Sequence, residues 1–318
     1  MKFIFSILLL FFISCNHRDT DELSNFSSEI VFNWIQKPTA SYANENMNFI
    51  LTGNLNTKNT YLFITNDYGN TIIEPTLQGN KLTFAIPSFF TKISGEFLFS
   101  LTTNGQIIDK GTVTIKPIPY AQLLETYCGP SYLVASDKDY SMLVVIPNDL
   151  YDNPNASGYF TSEMYNEKKI DKYVDNHELL GYSNINSKEK KGKIFVKAYT
   201  DSIKSKTLEL SILANNPVNF TITYHRNTSF ADGKELTTLK TSVIKDIYGN
   251  SIENGTLVSF YMTTNDSIYM KAYGSTINGI ATAKFVHPTE EKKYTVKAYV
   301  ENFSSSNSLI INYIKANY

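Results

Sequence analysis

An aspartate, a tyrosine and an asparagine return together about once per hundred residues, and this recurrence divides the chain into copies of one structural unit. The pattern stands as Asp67-Tyr68-Gly69-Asn70, Asp149-Leu150-Tyr151-Asp152-Asn153 and Asp246-Ile247-Tyr248-Gly249-Asn250, each after an apolar run, with the asparagines 83 and 97 positions apart. A second set of residues gives the same period: Phe195-Val196-Lys197-Ala198-Tyr199 recurs as Thr295-Val296-Lys297-Ala298-Tyr299, and Phe97-Leu98-Phe99-Ser100-Leu101 stands 98 residues before the first of these. The spacing predicts three units, at residues 29–117, 118–215 and 216–318, with junctions near Pro117 and Asn216-Pro217.

Past residue 28 the dominant period is 2. Short β-branched and aromatic runs, bounded by Asn, Gly, Asp and Pro, appear every 8 to 12 residues, which is the pattern of antiparallel β-sandwiches. In Tyr294-Thr295-Val296-Lys297-Ala298-Tyr299-Val300, the set Tyr294, Val296, Ala298 and Val300 lines one face of a strand, and Thr295 and Lys297 point to water. The Asp-Tyr-Gly-Asn segments supply the residues that bend loops, by tolerating positive φ or by bonding their own backbone. The expected class is all-β, three tandem Ig-like sandwiches.

The third unit carries a resemblance. Phe230-Ala231-Asp232-Gly233-Lys234-Glu235, then Val243-Ile244-Lys245-Asp246-Ile247-Tyr248-Gly249-Asn250, Gly255-Thr256-Leu257-Val258-Ser259-Phe260, Thr276-Ile277-Asn278-Gly279-Ile280-Ala281 and Tyr294-Thr295-Val296-Lys297-Ala298 resemble, in order and spacing, the bacterial Ig-like domains of the invasin and intimin type (Big-1-like). The second unit is similar to a divergent copy, and the first keeps only Asp67 to Asn70 and the rhythm of strands. The resemblance implies a fold and surface display in tandem arrays. It implies no ligand and transfers no binding residue.

The first residues add a membrane. Lys2, an apolar stretch over residues 3–13 and Ser14-Cys15 form a basic n-region, a short h-region and a small residue before a cleavage point. The stretch is shorter than the roughly 20 residues a spanning helix needs. Phe12-Ile13-Ser14-Cys15 resembles the lipobox of bacterial lipoproteins, which implies residues 1–14 as signal peptide and Cys15 as the acylated first residue, held in the outer membrane by its lipid. An ordinary secretory signal with a stray cysteine is the alternative. Residues 16–28 are polar and acidic, as in a flexible tether.

Composition narrows what the rest can do. Of two cysteines one is Cys15, so Cys128 has no intramolecular partner and stability rests on apolar cores. A net charge of −1 gives no field for nucleic acid. No Gly-x-Ser-x-Gly elbow occurs, Cys128 has no neighbouring His, and His177-Glu178-Leu179-Leu180-Gly181 lacks the second His of a zinc protease. No catalytic residue, metal ligand or cofactor is assigned, and the expectation is a non-enzyme. Asp137, Asp139, Asp149 and Asp152 are the best oxygen-rich set for calcium, against the reading that such aspartates close turns.

For binding, the stretch from Asn153 to Lys191 is long and rich in tyrosine. Tyr159, Tyr165 and Tyr173 are its candidate contact residues, with ordinary strands and charged turns as the alternative. Trp34 falls on one face with Ile30 and Phe32 and belongs to a core. The function expected is a non-catalytic lipoprotein of the cell envelope displaying Ig-like sandwiches for adhesion, spacing or complex assembly to a protein or glycan partner not identified. The alternative is a glycan-binding lipoprotein of a polysaccharide-uptake system.

Overall fold

The computed structural model describes residues 29–265 and 267–315, and Cys15 with its flanking segments lies outside them. Among the described residues the regular elements are strands, with two short 3-10 turns at Thr57–Asn59 and Ser88–Thr91. The first nine strands are β1 (Phe32–Gln36), β2 (Ala40–Tyr42), β3 (Met47–Gly53), β4 (Thr60–Asn66), β5 (Gly69–Ile73), β6 (Thr76–Gln78), β7 (Lys81–Ile86), β8 (Gly95–Thr103) and β9 (Gln106–Lys116). They form a sheet ordered β1-β3-β7-β6 and another ordered β2-β9-β8-β4-β5. Next come β10 (Leu123–Gly129), β11 (Tyr132–Val134), β12 (Tyr140–Asn148), β13 (Tyr159–Tyr165), β14 (Lys168–Val174), β15 (Gly181–Asn186), β16 (Gly192–Tyr199) and β17 (Leu208–Leu213). Their sheets run β10-β12-β15 and β11-β17-β16-β13-β14. The last are β18 (Ile222–His225), β19 (Leu236–Thr241), β20 (Leu257–Thr264), β21 (Ser267–Ser275), β22 (Thr282–Val286), β23 (Lys293–Val300), β24 (Ser304–Ser305) and β25 (Leu309–Asn312). These give β18-β19-β22 and β21-β20-β23-β24, with β25 also on β23.

The chain divides into two compact units. One comprises Asn46–Pro87 and Phe97–Val113 with the described residues up to Thr39. Its interior follows from period-2 alternation: β8 turns Phe97, Phe99 and Leu101 inward and exposes Leu98. Phe49 of β3 meets Phe99 at 4.8 Å between ring centroids, and Trp34 packs edge-on against both. The indole Nε1 donates to Asp109 Oδ2 at 2.7 Å, and Lys37 pairs with the same oxygen at 2.6 Å, so the polar rim of Trp34 is satisfied at the edge of the core.

The other unit comprises Ala40–Glu45, Ser88–Glu96 and Thr114–Tyr318. It contains two cores. Leu124, Leu143, Val145 and Ile185 from the β10-β12-β15 sheet close on Ile194, Val196, Ala198 and Leu210 from the opposing one. Further on, Ile222, Leu239, Ala283 and Phe285 close on Val258, Phe260, Met262 and Val296. Each fully buried Leu, Ile or Phe contributes about 1.5–3 kcal/mol. The face expected from alternation in β23 is observed: Tyr294, Val296, Ala298 and Val300 are buried, Thr295 is exposed and Lys297 is half-buried.

Two parts of the repeat need correction. Asp67-Tyr68-Gly69-Asn70 is the turn and first residues of the β4–β5 hairpin, in which Asn66 pairs with Gly69 and the Tyr68 amide donates to Asn66 Oδ1. It is therefore not the equivalent of the other two motifs. The 98-residue offset also sets Phe97, which is buried, against Phe195, which is not. In a strand a one-residue slip exchanges faces, so β8 aligns with β16 and β23 only at a shift of odd parity to that offset.

Candidate functional site

The two remaining Asp-Asn motifs share a geometry whose local part is an Asx turn. Asp149 Oδ1 accepts the amides of Tyr151 (2.7 Å) and Asn153 (3.0 Å), and Asp246 Oδ1 accepts those of Tyr248 (3.0 Å) and Asn250 (2.8 Å). The fourth residue takes positive φ in both, as Gly249 (80°) and as Asp152 (63°), one of the few L-residues that tolerate it.

The other half of each motif reaches away from the turn. Asp149 Oδ2 accepts the Ile118 amide (3.0 Å) and Asn153 Nδ2 (2.9 Å), and Asp246 Oδ2 accepts the Asn215 amide (2.9 Å) and Asn250 Nδ2 (2.8 Å). Each asparagine then grips a loop more than fifty residues upstream. Asn153 donates to Lys92 O (2.8 Å) and accepts from the Ser94 amide (2.7 Å); Asn250 donates to Glu189 O (2.7 Å) and accepts from the Lys191 amide (3.1 Å). The second grip is extended by Lys191 Nζ on Ser251 O (2.8 Å) and by Lys190 Nζ on Tyr248 O. The two motifs are clamps that tie the incoming chain, at Ile118 and at Asn215, and an upstream loop to one turn.

These clamps are buried and electrostatically complete. Asp149, Asn153, Asp246 and Asn250 are 1%, 1%, 3% and 6% exposed. Burial pushes both carboxyls up, and the asparagine side chain with three backbone amides outweighs it, so each lies below the usual carboxylate value. All four acceptor positions of each carboxylate are occupied. A calcium ion at Asp149 would have to displace a bond the fold already uses. Asp139 also serves its own turn, each oxygen accepting one amide, that of Val134 (2.7 Å) or of Tyr140 (3.0 Å).

Among the described residues one set of acidic and histidine groups converges, Asp232, Glu235 and His287. Its chemistry is that of a closed turn. Asp232 Oδ1 accepts the amides of Lys234 (2.9 Å) and Glu235 (3.0 Å), with Gly233 at φ 65°, and His287 Nδ1 lies 2.8 Å from Phe230 O. This is what the Ala-Asp-Gly sequence does locally. Asn278 and Gly279, at φ 51° and 76° between the paired Ile277 and Ile280, account for the later Asn-Gly step as a tight turn.

The tyrosine-rich stretch after Asn153 consists of strands β13, β14 and β15. Its three candidate contact residues have different surroundings. Tyr159 is 1% exposed and part of a core, its hydroxyl without a hydrogen-bond partner and its pKa pushed up to about 12 by burial. Gly181, the residue that breaks the His-x-x-x-His spacing, lies under that hydroxyl: a Cβ there would come within 2.2 Å of it. Tyr165 is half-buried and donates to Lys190 O at 2.7 Å. Tyr173 is 53% exposed and packs on Phe160, which stacks on Tyr199 at 5.3 Å. Cys128 is half-buried in β10, beside Ser141 Oγ at 3.2 Å, and burial raises its thiol pKa.

No family model matches the sequence, and no curated protein matches it. Solved structures do. The Escherichia coli adhesin FdeC superposes over 90% of this chain and 96% of its own at 15% identity, with a TM-score of 0.57. Invasin, a bacterial integrin-binding protein, superposes over 90% of this chain and 60% of its own at 15% identity, with a TM-score of 0.52. The fold is that of the Ig-like domains of bacterial adhesins of the invasin type.

Proposed function

We propose that this chain is a non-catalytic lipoprotein of the bacterial outer membrane that presents three tandem Ig-like sandwiches for attachment. The observation that carries this reading is the pair of clamps, which spend the buried carboxylates of Asp149 and Asp246 on fixing chain and loop and leave none of their oxygens for chemistry. The adhesin-type fold supports display, and the lipobox-like Phe12-Ile13-Ser14-Cys15 supports anchoring through acylated Cys15. The polar, acidic composition of residues 16–28 suits a linker between that lipid and the sandwiches.

The reading is tested on whole cells. Cells carrying the chain should adhere to a surface better than cells lacking it, and externally added protease should remove both the chain and the gain. A chain that stays intact under protease, with adherence unchanged by its deletion, contradicts the proposal.

A further inference from the structure

The larger sheet of the third sandwich turns a row of tyrosines and lysines to solvent. Across β21, β20 and β23 the register sets Tyr273, Ser259 and Tyr299 side by side, and next to them Lys271, Tyr261 and Lys297. Lys271 Nζ lies 4.7 Å and 4.8 Å from the ring centres of Tyr261 and Tyr273, and Lys297 Nζ lies 5.3 Å from that of Tyr299. Tyr261 meets Tyr299 edge-on at 5.6 Å, and its hydroxyl donates to Glu301 Oε1 at 2.9 Å. Beside them lies a cleft of about 370 Å³ whose rim carries the hydroxyls of Thr263, Thr295 and Ser308, within the range of about 300–1,000 Å³ typical of ligand sites.

The second sandwich repeats the aromatic positions one period earlier, with Tyr173, Phe160 and Tyr199 in register and Lys197 beside them. Its cation over Tyr199 is Lys169, which is neutralised by Asp171 at 2.6 Å. Among the described residues neither Lys271 nor Lys297 has a carboxylate within ion-pair distance. The third face thus combines flat rings, hydroxyls and two cations outside ion-pair contact, with one carboxylate, Glu301, at the cleft, held and lowered in pKa by the Tyr261 hydroxyl and in part by the charge of Lys271. Protein interfaces are depleted in lysine at their centres, whereas lysines at the centre of a tyrosine platform suit a ligand with apolar ring faces and negative charge.

We propose that this face is a binding site for an acidic polysaccharide, its sugar rings stacking on Tyr299 and Tyr273 and its carboxylates pairing with Lys271 and Lys297. The site would give the displayed array its ligand, and to that extent it deepens the attachment reading. Its test uses the purified full chain in native electrophoresis through gels containing polygalacturonate or, as the neutral comparison, dextran. The expected result is retardation by polygalacturonate alone, weakened at least about tenfold in K271Q/K297Q and in Tyr299→Ala, and kept in K204Q/K206Q. Absence of retardation, equal retardation of K271Q/K297Q, or equal retardation by dextran overturns it. Because no cell or membrane enters the assay, its failure leaves the adherence experiment standing, and failure of that experiment leaves this one unaffected.

Discussion

At Asp246 four donors converge on one buried carboxylate, so removing it strands the backbone amides of Asn215, Tyr248 and Asn250. Asp246→Ala is expected to destabilise the chain by about 3 kcal/mol, read as a shift in the urea midpoint, and a shift below about 0.5 kcal/mol would contradict the clamp. The pH dependence has a fixed sign. The folded-state values of Asp149 and Asp246 lie below the ordinary 3.9 or so of an unfolded aspartate. Their contribution is complete above that value and is lost as pH falls through the folded-state pKa. Stability measured between pH 6 and pH 3 should therefore decline below about pH 4, and less steeply in the Asp149→Ala/Asp246→Ala variant. Tyr159 offers a third residue-scale test. Gly181→Ala sets a methyl against the Tyr159 hydroxyl and should cost about 1–3 kcal/mol. In a Tyr159→Phe background, which removes only an unpartnered hydroxyl, most of that cost should vanish; an unchanged penalty would place the strain elsewhere.

Between elements, the side chain of Asn250 ties down the loop at Glu189–Lys191 from one side, and the Tyr165 hydroxyl on Lys190 O holds it from another. Asn250→Ala should speed tryptic cleavage after Lys190 or Lys191 by several fold with β16 and β20 otherwise intact, and an unchanged cleavage rate would show that the loop is held without Asn250. Much at this scale was readable beforehand. Period-2 alternation located β23 and its buried face, and Asp, Gly and Asn marked the turns, because both signals depend on neighbours within about four residues. The outward half of each clamp was not readable, since its partners lie 31 to 61 residues away in sequence and are chosen by tertiary packing. For the same reason Asp67-Tyr68-Gly69-Asn70 reads in sequence as a third copy: composition makes a hairpin turn and a clamp alike, and only the strands on either side tell them apart. In sequence Tyr159 and Tyr173 are alike, and only the pairing of β13 with β14 and β16 separates a core ring from an exposed one.

For the whole molecule, the all-β class follows from sequence because so many short alternating runs bounded by turn residues suit sheets packed face to face and leave no helical stripe to bury. A binding surface does not follow in the same way, since the Tyr261, Tyr273 and Tyr299 face is assembled from three strands whose register sequence alone leaves open. The account joins these sandwiches to a membrane through one residue. Feeding cells an alkyne-tagged palmitate and isolating the chain therefore tests it most directly. The wild type should carry the label and sediment with outer membrane, and Cys15→Ala should carry none and appear in the soluble fraction; an unlabelled wild type that fractionates identically to Cys15→Ala would contradict it.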